Sequence, residues 1–406
     1  EKEYLLLIDG SSLLTTQFFG NLPREIMFAK TLEEKERYFH KIMMTSTGTY
    51  TNAVFGFLRT LFKIIKEQKP TYLAVAWDLS RDTFRREMYA DYKGNRTETL
   101  EPLKEQFALC QEVLKRMHIR QFMDERYEAD DFCGSLSRKF EETVPVRILT
   151  KDNDYLQLVT DRTNLWMMHT TAEKTDELFK KYHINKAEAN VPERAFCFTP
   201  ELVEKEFGVL PEHVNSLKGL MGDASDNIKG VAGIGPATAV KLIQEYGTVS
   251  HLYDAIRDLD SQGEKAIKAY WKEKLDLKRS PLTYLKKESD TELVGEKAAL
   301  PSEKLATIKC DIDLDDVTLD NLKLDLDRKE TQRVLDELEF RSLKPEFCGE
   351  EEEREDISLK FFDTSDLAEA EEWIARAAKQ QEIGLQLICE NQEMNGVGVC
   401  LPDQTA

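Results

Sequence analysis

Three apolar runs of strand length punctuate the first part of the chain: YLLLIDG at 4–10, TYLAVAWD at 71–78 and VPVRILTKD at 144–152. Each is rich in Val, Ile, Leu or aromatic residues. Between them lie helical patterns, NAVFGFLRTLFKIIKEQK at 52–69 and LEPLKEQFALCQEVLKRM at 100–117. In the first of these, apolar residues recur every three or four positions and a Lys-Pro pair ends the run. Strand alternating with helix predicts an α/β fold with a mostly parallel central sheet flanked by helices.

From Thr199 the strand signal fades. TPELVEKEFGV and PATAVKLIQEYGTV read as short helices stopped by glycine, and KETQRVLDELEFRSL as a further helix. The expected organisation is an α/β domain over 1–198, a helical domain with its extension over 199–345, and an acidic linker over 346–356. A last unit over 357–406 is expected to start with strand SLKFF, helix LAEAEEWIARAAKQ and strand EIGLQLIC. No internal repeat is visible.

Composition changes this picture in one respect. The net charge is −20, which on its face argues against nucleic acid. Yet residues 311–406 hold 10 Lys and Arg against 27 Asp and Glu. The first 310 residues are therefore close to neutral and can carry a local basic face. No apolar run is long enough to span a bilayer, and the opening EKEYLLLIDG does not read as a signal peptide. The seven cysteines are scattered and odd in number, which fits a reducing cytoplasm.

The acids fall at coherent places. Asp9 and Asp78 end the first two strands, and Asp152 and Asp154 follow the third in LTKDNDYLQL. Parallel strands present their carboxyl ends to one crevice, so these acids are expected to meet. RYEADDFCGSL adds Glu128, Asp130 and Asp131, and GDASD adds Asp223 and Asp226. With 76 of 406 residues acidic, any single Asp is more often a solvated surface group or a helix cap. The set at strand ends is different, because clustered carboxylates repel unless compensated. Mg²⁺ is the natural compensation, and two such ions suit phosphodiester cleavage. No competing chemistry is visible. GVAGIGPATA contains three spaced glycines but follows no strand, so a dinucleotide site is not expected. There is no Walker lysine, no Gly-x-Ser-x-Gly, and no metal spacing among the six histidines.

Together these motifs resemble the 5′ nuclease (flap endonuclease) family, and more narrowly the N-terminal 5′–3′ exonuclease region of bacterial DNA polymerase I. The matching pieces are LLLIDGSSL, FRREMYADYKGNR, YEADD, LTKDNDYLQLV and GLMGDASDNIKGVAGIGPATA, in family order over about residues 4–345. The resemblance implies a metal-dependent nuclease acting near DNA 5′ ends in primer removal and repair. It implies divalent-metal ligands at Asp9, Asp78, Glu128, Asp130, Asp131, Asp152, Asp154, Asp223 and Asp226, with Mn²⁺ able to replace Mg²⁺. The second ion is expected nearer the GDASD pair. GVAGIGPATA resembles the family's helix–three-turn–helix element, whose amides at a helix N-terminus meet a duplex phosphate. Gly233, Gly235 and Thr238 are the expected contacts there, with K⁺ held by the hairpin carbonyls. Ala237 stands where relatives commonly have Lys.

Segment 80–96 mixes Arg81, Arg85, Arg86, Lys93 and Arg96 with Phe84, Tyr89 and Tyr92. Cations for phosphates and aromatics for bases are the mixture of a single-strand path. The resemblance makes this the approach to an arch, with Tyr92 among the DNA contacts and Lys93 and Arg96 acting on the phosphate in catalysis. Residues 24–48 and 168–197 look expanded relative to the family. Residues 357–406 resemble the start of a 3′–5′ exonuclease-like domain, but Gln386 and Ile388 stand where the active version has Asp-x-Glu, so that unit is expected to be inactive. The expected partners are DNA with 5′ flaps, nicks or RNA primers and an attached polymerase domain. A monomer in the bacterial cytoplasm, associated with the nucleoid and not with membrane, is expected. A nuclease-dead DNA-binding module and a related RNA nuclease are the alternatives; the intact acid set opposes the first and the hairpin the second.

Overall fold

In the computed structural model the described residues are 3–260, 263–348, 366–380, 383–390 and 393–400. They fall into two compact units, Glu1–Glu346 and Phe347–Ala406.

The first unit is built on a six-stranded sheet with strand order β3-β2-β1-β4-β5-β6. The strands are β1 (Leu5–Asp9), β2 (Tyr72–Ala76), β3 (Arg120–Phe122), β4 (Val146–Thr150), β5 (Thr163–Met168) and β6 (Ala195–Phe198). β1 to β5 are mutually parallel, and β6 pairs antiparallel to β5. Leu7 lies level with Ala74 on one side and Ile148 on the other. The three strands expected from the sequence are β1, β2 and β4, the centre of the sheet. Being central, β1 is buried along its whole length. Leu5, Leu7, Ala74, Ala76, Val146 and Ile148 pack on Phe132, Cys133 and Leu136 of the helix Ala129–Phe140. The alternate residues Leu6, Ile8 and Val75 are fully buried on the other face, as the two-residue strand period requires. The outer strands carry weaker signals: β3 has three residues and β6 four. The segment 168–197 supplies the end of β5, the helix Ala172–Lys181 and β6.

β1 and β4 are neighbours although 136 residues of chain and two strands lie between Asp9 and Val146. The chain winds outward from β1 through β2 and β3, then returns to start again at β4. The carboxyl ends of β1 and β4 thus flank the switch point, where an open α/β sheet has its crevice.

The expected helices are present at Asn52–Glu67, Glu101–Arg116, Pro200–Phe207, Pro236–Tyr246 and Arg328–Glu337. The boundary drawn at 198/199 lies inside one compact unit, whose apolar core runs from Leu5 through Leu252 to Leu322. Helix Val214–Met221 packs along helix Gly295–Ala306 and feeds directly into GDASD. Residues 24–48 form short helical turns, Arg24–Phe28, Leu32–Glu36 and Phe39–Lys41, with Met27, Phe28 and Leu32 exposed.

In the second unit, helix Leu367–Ala377 is capped by Asp366, and β7 (Gly384–Glu390) pairs antiparallel with β8 (Glu393–Cys400). Gln386 and Ile388 sit on β7, level with Gly398 and Gly396. The expected strand SLKFF and residues 349–356 of the expected linker lie outside the described residues.

Candidate active site

At the carboxyl edge of the sheet lies an open cleft of about 2750 Å³. Its walls include Asp9, Asp78, Glu128, Asp130, Asp152, Asp154 and Asp223 among the acids, and Lys93, Arg96 and Lys218 among the cations. Each acid is aimed by local structure. Asp9 ends β1 and caps the following helix, its Oδ1 accepting from Ser12 N at 2.9 Å, while Thr150 Oγ1 donates to Oδ2 at 2.8 Å. Thr150 is the last residue of β4, so this bond spans the switch point. Asp78, just beyond β2, accepts from Ala129 N at 2.9 Å and so faces the start of the YEADD helix. Asp152 accepts from Asp154 N at 2.9 Å, in a turn of 3₁₀ helix.

The GDASD loop closes on itself. Asp223 N donates to Ile228 O at 2.9 Å, and Ile228 N returns the bond at 2.8 Å. Gly222 and Gly230 flank this bridge with φ of 75° and 61°, and a Cβ on Gly230 would meet Gly222 N at 2.2 Å. Only glycine fits two backbones that close, in that left-handed region. The loop is then laced to residues 91–96. Lys93 N donates to Asp226 O at 2.9 Å, Asn95 Nδ2 to Ala224 O at 2.7 Å, and Asn227 Nδ2 to Asp91 O at 2.7 Å. Lys93 itself has φ of 53°, a conformation rare outside glycine.

The acids divide by partner. Lys93 Nζ donates to Glu128 Oε2, Arg96 Nη2 to Asp226 Oδ1 at 2.6 Å, and Lys218 Nζ to Asp154 Oδ1 and to Asp223 Oδ2, the latter at 2.6 Å. Burial works against ionisation of Glu128, but Lys93 and Arg85 outweigh it and hold its pKa below the usual range. Burial likewise opposes ionisation of Asp223, and Lys218 still draws its pKa down to about 2. Among the described residues, Asp9, Asp78, Asp130 and Asp152 make no ion pair with Lys or Arg. Burial, then the charge of Asp78, raises Asp9 to about 7. Burial and Asp131 raise Asp130 well above the carboxylate range. Burial also raises Asp152, though Lys218 and Lys93 oppose it. Asp130 Oδ1 is buried with no hydrogen-bond donor.

That orphaned oxygen and three neighbouring carboxylates without cations are a hard-oxygen donor set suited to Mg²⁺ or Mn²⁺. Among the described residues, no three acids as they stand surround a single point where an ion would sit. Protein cations occupy five of the nine acids, Glu128, Asp131, Asp154, Asp223 and Asp226.

Three residues expected in the site have other work. Arg85 is 1% exposed and cannot touch DNA. Its Nη1 and Nη2 hold the two oxygens of Asp131 at 2.8 and 2.7 Å, and Nε and Nη2 reach the carbonyls of Leu305 and Thr307. Asp131 is fully buried and also accepts from Glu128 N and Lys309 N, so its oxygens are committed and it is no metal ligand in this arrangement. Tyr92 is 3% exposed and packs with Ile228, Leu305 and Ala306; it offers no face to a base, and its hydroxyl donates to Glu128 and Asp226. Arg81 is exposed and Arg86 half-buried, and both line the cleft.

At the hairpin, Gly235 is exposed, caps the helix Pro236–Tyr246, and has open space where a Cβ would stand. Gly233 differs: its φ is 92° and a Cβ would meet the Tyr284 ring at 2.6 Å. Its lack of a side chain serves packing. Thr238 is half-buried, and its N–H is used by Gly235 O. Lys218, Thr150, Asn95 and Asn227 were not singled out by the sequence. Lys218 stood five residues before Asp223 in a run that reads as ordinary helix, and the other partners lie too far away in the chain for spacing to suggest them.

Residues 4–186 match the family described as 5′-3′ exonuclease, N-terminal resolvase-like domain, and residues 209–330 match 5′-3′ exonuclease, C-terminal SAM fold. The DNA polymerase I of Bacillus caldotenax is 34% identical over 367 residues, which cover 89% of this chain and 34% of that polymerase. That of Bacillus subtilis is 32% identical over 364 residues, with the same coverage of each. The chain thus spans about a third of the length of these relatives. A solved structure of T5 5′-exonuclease with bound zinc is 21% identical with a TM-score of 0.46, covering 82% of this chain and 99% of that one.

Proposed function

Because the chain belongs to the 5′–3′ exonuclease family, we propose that it hydrolyses phosphodiester bonds near DNA 5′ ends, in primer removal and repair, as the nuclease part of a DNA polymerase I-like protein. The observation that carries this reading is that Asp9, Asp78, Asp130 and Asp152 line one cleft at the carboxyl edge of the sheet, with an orphaned oxygen on Asp130 and cations in the same cleft.

In this reading Asp9, Asp78, Asp130 and Asp152 hold the first divalent ion, and Asp154 and Asp223 serve the second. Bound Mg²⁺ or Mn²⁺ supplies an activated water and charge stabilisation at the leaving oxygen. The protein's own part is placement. Thr150 and Ser12 fix the two oxygens of Asp9, and Ala129 N fixes Asp78. Arg85 and Asp131 hold the start of the YEADD helix, so Glu128 and Asp130 keep their direction. Lys93 and Arg96 face the cleft beside Glu128 and Asp226, where exchange of a carboxylate for a phosphate oxygen would orient the bond to be cut. Arg81 and Arg86 extend the same basic rim. The Gly235 helix start binds the duplex, with K⁺ at the hairpin. The substrates are flaps, nicks and RNA primers on DNA; the protein acts as a monomer in the cytoplasm, associated with the nucleoid. Among the described residues no helix is long and apolar enough to cross a membrane. Gln386 and Ile388 leave the second unit without the carboxylates of 3′ proofreading.

The test is cleavage of a 5′-labelled flap duplex with Mg²⁺ and with EDTA. Asp130→Ala should abolish cutting while largely sparing DNA binding. Full cutting in EDTA would sink the reading.

A further inference from the structure

We propose that Lys218 is a built-in counter-ion at the position of the second divalent ion, and that its displacement from Asp154 and Asp223 sets how tightly that ion binds. The inference rests on the metal-dependent reading above. Lys218 stands on helix Val214–Met221 with its side chain 9% exposed, against 12% for Asp154 and 14% for Asp223. Its ammonium touches both carboxylates. The two acids come from opposite parts of the fold, the turn after β4 and the GDASD loop. Among the described residues they make no other ion pair, so Lys218 is the one cation they share and it offsets half of their charge.

A buried ammonium between two carboxylates occupies the position of the ion and supplies one of the two positive charges it would bring. A divalent ion cannot share the pair with it, because like charges at contact distance repel. Binding there therefore includes the work of moving Lys218 away. The Asp9, Asp78, Asp130 and Asp152 group has no such occupant. The two ion positions should then differ in affinity, and the difference should be traceable to one side chain. A lysine suits this role, since its flexible stem lets the charge swing out along the cleft wall.

The experiment is titration of the whole chain with Mn²⁺, followed by electron paramagnetic resonance, and thermal melts with and without Mg²⁺. Wild type should bind one ion tightly and a second weakly. Lys218→Met should tighten the weak ion by about tenfold or more and change the tight one much less. Without ions this variant should melt below wild type, because two buried carboxylates lose their partner. Mg²⁺ should restore most of that loss by mass action. Lys218→Met/Asp223→Asn removes the cation together with one of its two acids. It should melt close to wild type without ions and lack the tightened site. Unchanged or weaker second-ion binding in a folded Lys218→Met protein would overturn the proposal, as would a melting loss that Mg²⁺ cannot recover. Tightening that persists in the double variant would overturn it too. Two equally tight ions in wild type would remove the Lys218 role alone. Absence of Mn²⁺ binding in every protein would instead remove the metal-dependent reading beneath it.

Discussion

The guanidinium of Arg85 grips both carboxylate oxygens of Asp131, at 2.8 and 2.7 Å, with both side chains essentially out of water. Two planar groups meet edge to edge, the geometry in which arginine binds a carboxylate best. The same guanidinium reaches the carbonyls of Leu305 and Thr307, so a single side chain joins the YEADD helix to the exit of helix Gly295–Ala306. Removing one partner strands a buried charge.

Arg85→Met should therefore lower stability by about 3–5 kcal/mol, read by urea denaturation. Arg85→Met/Asp131→Leu, which removes both charges, should recover much of that loss. A surface DNA contact would behave in the opposite way: the single variant would keep its stability and lose only affinity.

Lys93 and Arg96 are set apart from Arg85 by access, with side chains 21% and 47% exposed at the cleft. Each pairs with a carboxylate at the cleft, Lys93 with Glu128 and Arg96 with Asp226, and can exchange that partner for a phosphate oxygen. Lys93→Ala and Arg96→Ala should slow flap cleavage far more than they weaken duplex binding. Where a phosphate contact is lost, the slope of log affinity against log salt should flatten by about 0.7–0.9. Normal flap cutting by both variants at moderate salt would remove them from the reaction.

Asp9 sets a pH prediction for the ion-free protein. Its folded pKa of about 7 lies above the roughly 3.9 of an unfolded Asp. Between those values the folded chain holds a proton that the unfolded chain has released. Stability therefore falls as pH rises through this window, and the loss is complete above pH 7. Asp130 and Asp152 are raised as well and act in the same direction. Asp223, drawn down to about 2, titrates below the window. In EDTA the protein should melt higher at pH 5 than at pH 8. Saturating Mg²⁺ should cancel or reverse that order, since the ion takes the place of the proton. Asp9→Asn should flatten the ion-free profile; a profile as steep as wild type would show that Asp9 is not the group responsible.

The sequence was most legible where one residue's position follows from its neighbours. β1, β2 and β4 are central, so their apolar runs are unbroken, and the acids that close them point to one edge by topology alone. β3 and β6 are short edge strands held mainly by their partners, and three or four residues carry little periodicity. The basic segment 80–96 was legible as composition but not as roles. Composition counts Arg85 with Arg96; only the fold separates a buried clamp from a cleft cation. Tyr92 fails for the same reason, since an aromatic beside lysine reads alike whether it stacks on a base or fills a core. Lys218 could not be found by spacing at all, because Asp154 lies 64 residues away.

Gly233 and Gly235 stand two residues apart in one hairpin, and the structure gives them different reasons to be glycine. Gly233 holds φ of 92° with the Tyr284 ring where its Cβ would be. An alanine there meets both backbone strain and a clash, so Gly233→Ala should lower the melting temperature and weaken every DNA complex in proportion to unfolding. Gly235 holds φ of −91°, an ordinary extended conformation, and faces open space. A side chain there costs the fold little and stands only in the path of something approaching the helix start. A phosphate bound at such amides fixes register on a regular backbone and reads no base. A duplex offers fixed phosphate spacing and a flexible flap does not. Gly235→Val should therefore keep the wild-type melting temperature, weaken binding to flap substrates and plain duplex alike, and leave single-stranded DNA binding nearly unchanged. Calorimetry and binding titrations on the three DNAs separate the two glycines. A stable Gly235→Val protein with undiminished duplex affinity, or one that loses only single-strand binding, would remove the hairpin from the duplex contact.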